Sequence, residues 1–277
     1  MMTSTRLKAL IRNLSKINKV EAEVLLRNYM LERFLERVSL SRHKCRFILK
    51  GGMLISAMVG IDSRTTMDLD ATIKGQALSA GETIGLIKDI LTVPIEDNVL
   101  ITYQRIEDIR QDADYPGYRV SLDAVLQGTR QTLHIDVTTG DFVTPREIEY
   151  RFRLMFEDRT ISIMAYNLET VLAEKFESVI TRGLVNTRMR DFYDILSQAV
   201  DEGTFNSAIH RTARRRQTAG QIADAASVIQ HISASPLLKD LWSRYQKKYS
   251  YASDVTWEMT MDSLRKLEHH IYPNKSS

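Results

Sequence analysis

Apolar residues recur at three- and four-residue steps along the N-terminal stretch: Val20, Val24, Leu25, Tyr29, Leu31, Phe34, Leu35 and Val38, with Glu and Arg between them. That spacing predicts amphipathic helix to about Ser39. Arg46 to Leu49 forms a short apolar strand candidate. Gly51-Gly52 interrupts it, and Met53 to Val59 then fits a helix. Asp62-Ser63 marks a turn. Thr66 to Lys74 alternates as a strand does, but its acidic residues fall where a buried strand would carry apolar ones.

Helical spacing returns from about Leu78 to Leu91. Three strand-like runs follow, Val99 to Gln104, Tyr118 to Val125 and Thr132 to Thr139, with turn signals at Gly117 and Gln127-Gly128. The short polar connection between the last two predicts an antiparallel hairpin. A further short strand is expected at Ile161 to Met164. Past Tyr166 the pattern changes. Asn167 is a good helix N-cap for Leu168, Val171, Leu172, Phe176, Val179 and Ile180, and Gly183 can end that helix. Helical patterns then run over 188–200, 204–215, 220–232, 236–249 and 253–271. The chain therefore reads as α+β, with a mixed part over 1–165 and a helical part over 166–277. No repeat recurs at the usual periods.

Composition narrows the class. The 277 residues are 43% hydrophobic and 26% charged, an ordinary globular balance. No run approaches the roughly 18 apolar residues of a membrane helix. One cysteine, Cys45, excludes an internal disulfide framework and a cysteine-rich zinc site. The first twenty residues are basic and lack the apolar core of a secretory signal, so a cytoplasmic location is expected. The net charge of +3 permits nucleic-acid contact without demanding it.

The informative chemistry lies between Lys50 and Asp70. Asp68 and Asp70 are spaced so that a strand would project both from one face. Adjacent carboxylates repel, and a hard divalent cation such as magnesium or manganese removes the repulsion. An Asp-x-Asp alone is common and mostly decorative. Here it follows Gly51-Gly52, which joins a strand to a helix. Glycine lets a phosphate approach the backbone, and a helix N-terminus offers free N–H groups. The two features are 16 residues apart, counted from Gly52 to Asp68. A phosphate seat followed by paired carboxylates fits phosphoryl or nucleotidyl transfer.

Asp136, within His134-Ile-Asp-Val-Thr138, is a candidate third carboxylate, and alternation groups it with His134 and Thr138. A strand beside that of Asp68 and Asp70 would bring three acids together, as two-metal transfer requires. Asp123, on the preceding strand, is a rival third acid. In the helical part, Lys175 sits in a mostly apolar helix, and Asp191 and Asp194 share a helix face. A triphosphate needs cations, and Lys175 and Arg190 are the best placed. Asp191 could orient either of them.

At these residues the chain resembles the AbiEii/AbiGii-type nucleotidyltransferase toxins. The match comprises Phe47-Ile-Leu-Lys-Gly-Gly52, Arg64-x-Thr66-x-Asp68-x-Asp70, Glu174-Lys175 and Arg190-Asp191-Phe-Tyr-Asp194, with Leu31-Glu-Arg-Phe-Leu35 in the lead-in helix. The resemblance implies a polymerase β-like nucleotidyltransferase core with a mixed sheet, an N-terminal helix and a C-terminal helical lobe that completes the cleft. It also implies an NTP substrate, magnesium and a cognate antitoxin. Some relatives modify the 3′ acceptor end of tRNA and so stop translation. Asp68 and Asp70 correspond to the family's metal ligands, Lys175 to its phosphate contact, and Asp191 to the motif that completes the site. Gly51, Gly52, Arg64, Thr66 and Arg190 are the further nucleotide-binding candidates. Met53 stands where many of these enzymes carry serine, so that contact is lost or comes from Ser56.

Arg211, Arg214, Arg215 and Arg216 form the densest basic patch, a candidate RNA contact whose plain alternative is a solvated helix end. Trp242, Tyr245, Tyr249, Tyr251 and Trp257 are expected in helix packing. The leading expectation is nucleotide transfer from NTP to RNA. Transfer to a protein hydroxyl and a non-catalytic binding module of the same fold are the competing readings.

Overall fold

The computed structural model describes residues 2–59, 68–75, 78–109, 117–141, 143–196 and 200–272. Arg64 and Thr66, along with the Asp62-Ser63 turn, lie outside the described residues. The elements are α1 (Ser4–Asn18), α2 (Ala22–Leu40), β1 (Phe47–Lys50), α3 (Gly51–Val59), β2 (Leu69–Ile73), α4 (Ala80–Leu91), β3 (Val99–Asp108), β4 (Gly117–Leu126), β5 (Thr129–Thr139), β6 (Ile148–Arg153) and β7 (Thr160–Ala165). Seven further helices follow: α5 (Leu168–Arg182), α6 (Met189–Asp194), α7 (Glu202–Arg215), α8 (Ala219–Ala223), α9 (Ala225–Ala234), α10 (Pro236–Lys248) and α11 (Trp257–Ile271).

The chain forms two compact units. One comprises Met1–Asp141 and Glu147–Tyr166, and the other Phe142–Arg146 and Asn167–Ser277. In the first, the strands make one mixed sheet in the order β3-β4-β5-β2-β1-β7-β6. β1 pairs antiparallel with β2 and parallel with β7, while β2 runs parallel to β5. Each strand turns its apolar alternate residues to one face. Leu69, Ala71, Val120, Leu122, Ile135 and Val137 are buried there, and α2 packs against β5 and β7. Phe34 of α2 meets Phe47 of β1 edge-on, ring centroids 5.8 Å apart. The opposite alternation carries the polar residues.

Several expectations shift at their edges. The N-terminal helix is two helices, because Lys19 adopts left-handed backbone at φ 52° and closes α1. β6 was absent from the sequence reading; its alternation, Ile148-Glu-Tyr-Arg-Phe-Arg153, carries little apolar signal. The 220–232 pattern is split by Asp224 into α8 and α9. The β4–β5 hairpin forms as expected, with Gln127 and Gly128 both at positive φ, 46° and 82°, as the tightest hairpin turns require.

The second unit packs α5 against α6 to α9, with α11 on α7 and α9. Asn167 caps α5, its side chain accepting from the Thr170 amide at 2.8 Å. Trp242 and Trp257 are buried, and each indole N–H reaches a backbone carbonyl, Val255 O at 3.0 Å and Ser233 O at 3.3 Å.

Candidate active site

In the first unit the site grows from strand register. Lys50 is the antiparallel partner of Asp70, Asp70 the parallel partner of Asp136, and Asp136 the antiparallel partner of Arg119. Side chains in register on neighbouring strands point to the same face. A charged row thus crosses four strands, two acids flanked by two cations: Lys50, Asp70, Asp136, Arg119. Asp68 stands one residue before β2 and joins the row through Arg119, whose Nη2 lies 3.3 Å from its Oδ2.

Why Gly51 must be glycine is visible in the geometry. It ends the turn from β1 into α3 at φ 70°, and a Cβ there would lie 2.1 Å from Oδ2 of Asp70. The Asp70 carboxylate fills the space that any side chain at 51 would need, at the start of a nine-residue helix. This is the close approach that the glycine pair led us to expect, made here by a carboxylate. Ser56, the candidate replacement for the missing serine, donates its hydroxyl to the Gly52 carbonyl at 3.0 Å.

Asp136 is held by a forked ion pair. Arg119 Nε donates to its Oδ1 and Nη2 to its Oδ2, both at 2.7 Å. The hydrogen bonds it donates to Asp136, with Asp68 and Asp70 nearby, hold the Arg119 guanidinium above its ordinary pKa. Asp123 lies elsewhere. It pairs in register with Thr132 and forms an ion pair with Arg130 that keeps its carboxyl below the usual range. Four residues along β5 separate Thr132 from Asp136, roughly 13 Å at about 3.3 Å per residue. Asp123 is therefore not the third carboxylate of this row.

Two residues that the sequence reading passed over border the row. Lys50 is buried, and its Nζ lies 2.5 Å from Asp141 Oδ2, past the end of β5. Its position before the glycine pair was the available signal. Arg119 was also legible, because counting back from the Gln127-Gly128 turn sets it opposite Asp136.

The donor set suits a hard divalent cation. Asp68 and Asp70 supply carboxylate oxygens, and magnesium is usually held by one or two carboxylates with substrate phosphates and water completing its octahedron. Among the described residues no group of three or more metal-competent side chains is gathered.

In the second unit, Lys175 of α5 points inward. Its Nζ lies 2.6 Å from Asp191 and 3.3 Å from Asp194, both fully buried on α6. Arg188 Nε approaches the other Asp191 oxygen at 2.8 Å. The expectation that Asp191 orients Lys175 or Arg190 resolves on Lys175. Arg190 lies instead among Tyr245, Tyr249 and Tyr251. Burial depresses its pKa, but those phenols and Asp194 raise it overall. Of the basic patch, Arg216 is taken up by Glu177 at 2.5 Å and Glu174 at 3.3 Å. Arg211 and Arg214 are exposed.

Residues 33–263 match the family described as nucleotidyl transferase AbiEii toxin, type IV TA system. No curated protein sequence matches the chain. Among solved structures, MenT4, a nucleotidyltransferase toxin from Mycobacterium tuberculosis, is similar over 97% of this chain and 99% of its own, with TM-score 0.57 and 12% identity. JHP933 from Helicobacter pylori is similar over 91% of each chain, with TM-score 0.43 and 12% identity. At such identity the first likeness speaks for a shared fold, a nucleotidyltransferase one. The family match spans most of the sequence and includes the glycine turn, the Asp68–Asp70 pair, Lys175 and Asp191, and the chain belongs to the AbiEii family of nucleotidyltransferase toxins.

Proposed function

We propose that this toxin transfers a nucleotide from an NTP to RNA, with the 3′ acceptor end of tRNA as the target, and so blocks translation in the cytoplasm. Magnesium is the proposed cofactor, with manganese able to replace it, and a cognate antitoxin the proposed restraint. The observation that carries this reading is the seating of the Asp70 carboxylate against Gly51, in a strand row that continues through Asp136. Paired carboxylates at a glycine turn have little structural use, since they repel one another and Asp is a poor strand former.

Asp68 and Asp70 would hold the divalent cation. When bound, that ion offsets charge on the triphosphate and on the leaving pyrophosphate. The amides that open α3, at Gly51 and Gly52, would receive phosphate oxygens. Lys175, fixed in direction by Asp191 and Asp194, would bind the nucleotide phosphates as a point charge. Arg64, Thr66 and Arg190 complete the proposed nucleotide contacts. Among the described residues no helix is long and apolar enough to cross a membrane.

The test is incubation with each labelled NTP, magnesium and total RNA or total protein. Label on tRNA is the expected result. Label on protein would instead favour modification of a Ser, Thr or Tyr hydroxyl, and no label on either would favour a binding module.

A further inference from the structure

Arg119 is placed where a second cation would be useful. It reaches Asp136 through two 2.7 Å hydrogen bonds and Asp68 through a 3.3 Å contact. A forked guanidinium–carboxylate pair occupies both oxygens of its partner. An ion ligated by Asp136 would lie close to the guanidinium's positive charge, so the two compete for the same carboxylate. Arg119 is also movable. Its side chain is 36% exposed, against 7% for Lys50 in its pair with Asp141 at the other end of the row. The guanidinium is open to solvent on one side, so a divalent ion can reach the same carboxylates and compete with it.

We infer that Arg119 is a positioning residue that competes with divalent cations for the carboxylates, keeping Asp136 out of the metal shell and thereby setting how tightly the site binds its ion. The inference rests on the proposed metal-dependent function. Without a bound ion the guanidinium offsets part of the charge of Asp136 and Asp68. With one, the ion either displaces Arg119 from Asp68 or is held by Asp68 and Asp70 while Asp136 stays paired. Both routes make metal binding weaker than three open carboxylates would give.

The test is Mn2+ binding to the full chain, followed by electron paramagnetic resonance of free Mn2+ and by the rise in melting temperature on adding Mn2+. Arg119→Met should tighten Mn2+ binding by about tenfold or more, since it leaves Asp136 free to join the ion's ligands with no guanidinium charge beside it. It should also enlarge the Mn2+-induced melting shift, as linkage requires. Arg119→Lys keeps the charge and should stay close to the unsubstituted protein, and this control separates the charge effect from a folding defect. Adding Asp136→Asn to Arg119→Met should abolish most of the gain. The inference is overturned if Arg119→Met binds Mn2+ no more tightly, or if the gain survives loss of Asp136. Asp70→Asn separates the two levels of the argument. If Mn2+ binding depends on Asp70 but ignores Arg119, only the inference fails. If binding does not depend on Asp70 at all, the proposed metal site fails with it.

Discussion

The first unit holds two dense clusters of charge that differ in exposure. On α2, Glu32, Arg33, Glu36 and Arg37 are buried. Arg33 bonds Glu157 at 2.7 Å and lies 3.0 Å from Glu36. Arg159 forks onto Glu36 at 2.6 and 3.0 Å, and Arg37 onto Asp97 at 2.7 and 3.1 Å. Glu32 takes the Met155 amide on both oxygens. Acids and cations there interlock around a fixed backbone, as a structural network does. At the carboxylate row Arg119, 36% exposed, reaches Asp136 and Asp68, and Lys50 stands at the other end, beside a glycine turn. Charge open in part to solvent beside a glycine turn marks the site, while interlocked buried charge marks the scaffold.

The sharpest way to break that comparison is to remove charge from each side. Asp68→Ala and Asp70→Asn should cut nucleotide transfer by at least about a hundredfold, with the melting temperature unchanged or raised, since like-charge repulsion is relieved. Lys175→Ala should cut transfer equally but also lower stability by about 3 kcal/mol, because the buried Asp191 and Asp194 both lose the ammonium they share. Transfer assays beside urea unfolding check both signs. Retained transfer in either aspartate variant would remove the row from the chemistry.

Gly51→Ala comes next. Its Cβ would collide with the Asp70 carboxylate, and the left-handed backbone adds strain of about 1 kcal/mol. Transfer should fall about tenfold or more by displacement of Asp70 alone. An alanine variant with full activity would show that Asp70 need not sit there.

A smaller effect belongs to the scaffold cluster. Burial pushes the Glu32 carboxyl up to about 8, against the opposing pull of the Met155 amide and Arg33. A folded-state value above the unfolded one means that the protonated acid's contribution is whole below pH 4.5 and is lost as pH rises through about 8. Urea unfolding between pH 5 and 9 should therefore show stability falling with pH, and Glu32→Gln should flatten that slope. An identical slope in the variant would assign it to another group. Smallest of all, charge reversal at Arg211 and Arg214 should weaken RNA modification a few-fold, more at high salt than at low, without changing stability. Arg216→Ala should instead destabilise, because it frees Glu177 and Glu174. Unchanged rates at both salts would take the exposed arginines off the RNA path.

Much of this was legible in the sequence, for reasons that can be named. The carboxylate row follows from period-two alternation, which put His134, Asp136 and Thr138 on one face and Ile135 and Val137 on the other. The two-residue hairpin then fixed Arg119 opposite Asp136, a step the periodicity offers but that needs the turn to be counted from. The charges of α2 misled by type. Glu and Arg between apolar residues read as a solvated face, yet Glu32, Arg33, Glu36 and Arg37 are buried because the 154–159 segment and Asp97 supply their partners from far along the chain. No local pattern announces such partners. The same holds for Lys50, whose partner Asp141 is 91 residues away, and for Arg216, whose partners lie on α5.

The most direct measurement of the central claim is transfer of label from NTP to purified tRNA by the unsubstituted protein and by Asp70→Asn, in magnesium and in excess chelator. The account predicts labelled tRNA only for the unsubstituted protein with magnesium. Equal labelling by the Asp70→Asn variant, or labelling that survives the chelator, would contradict it.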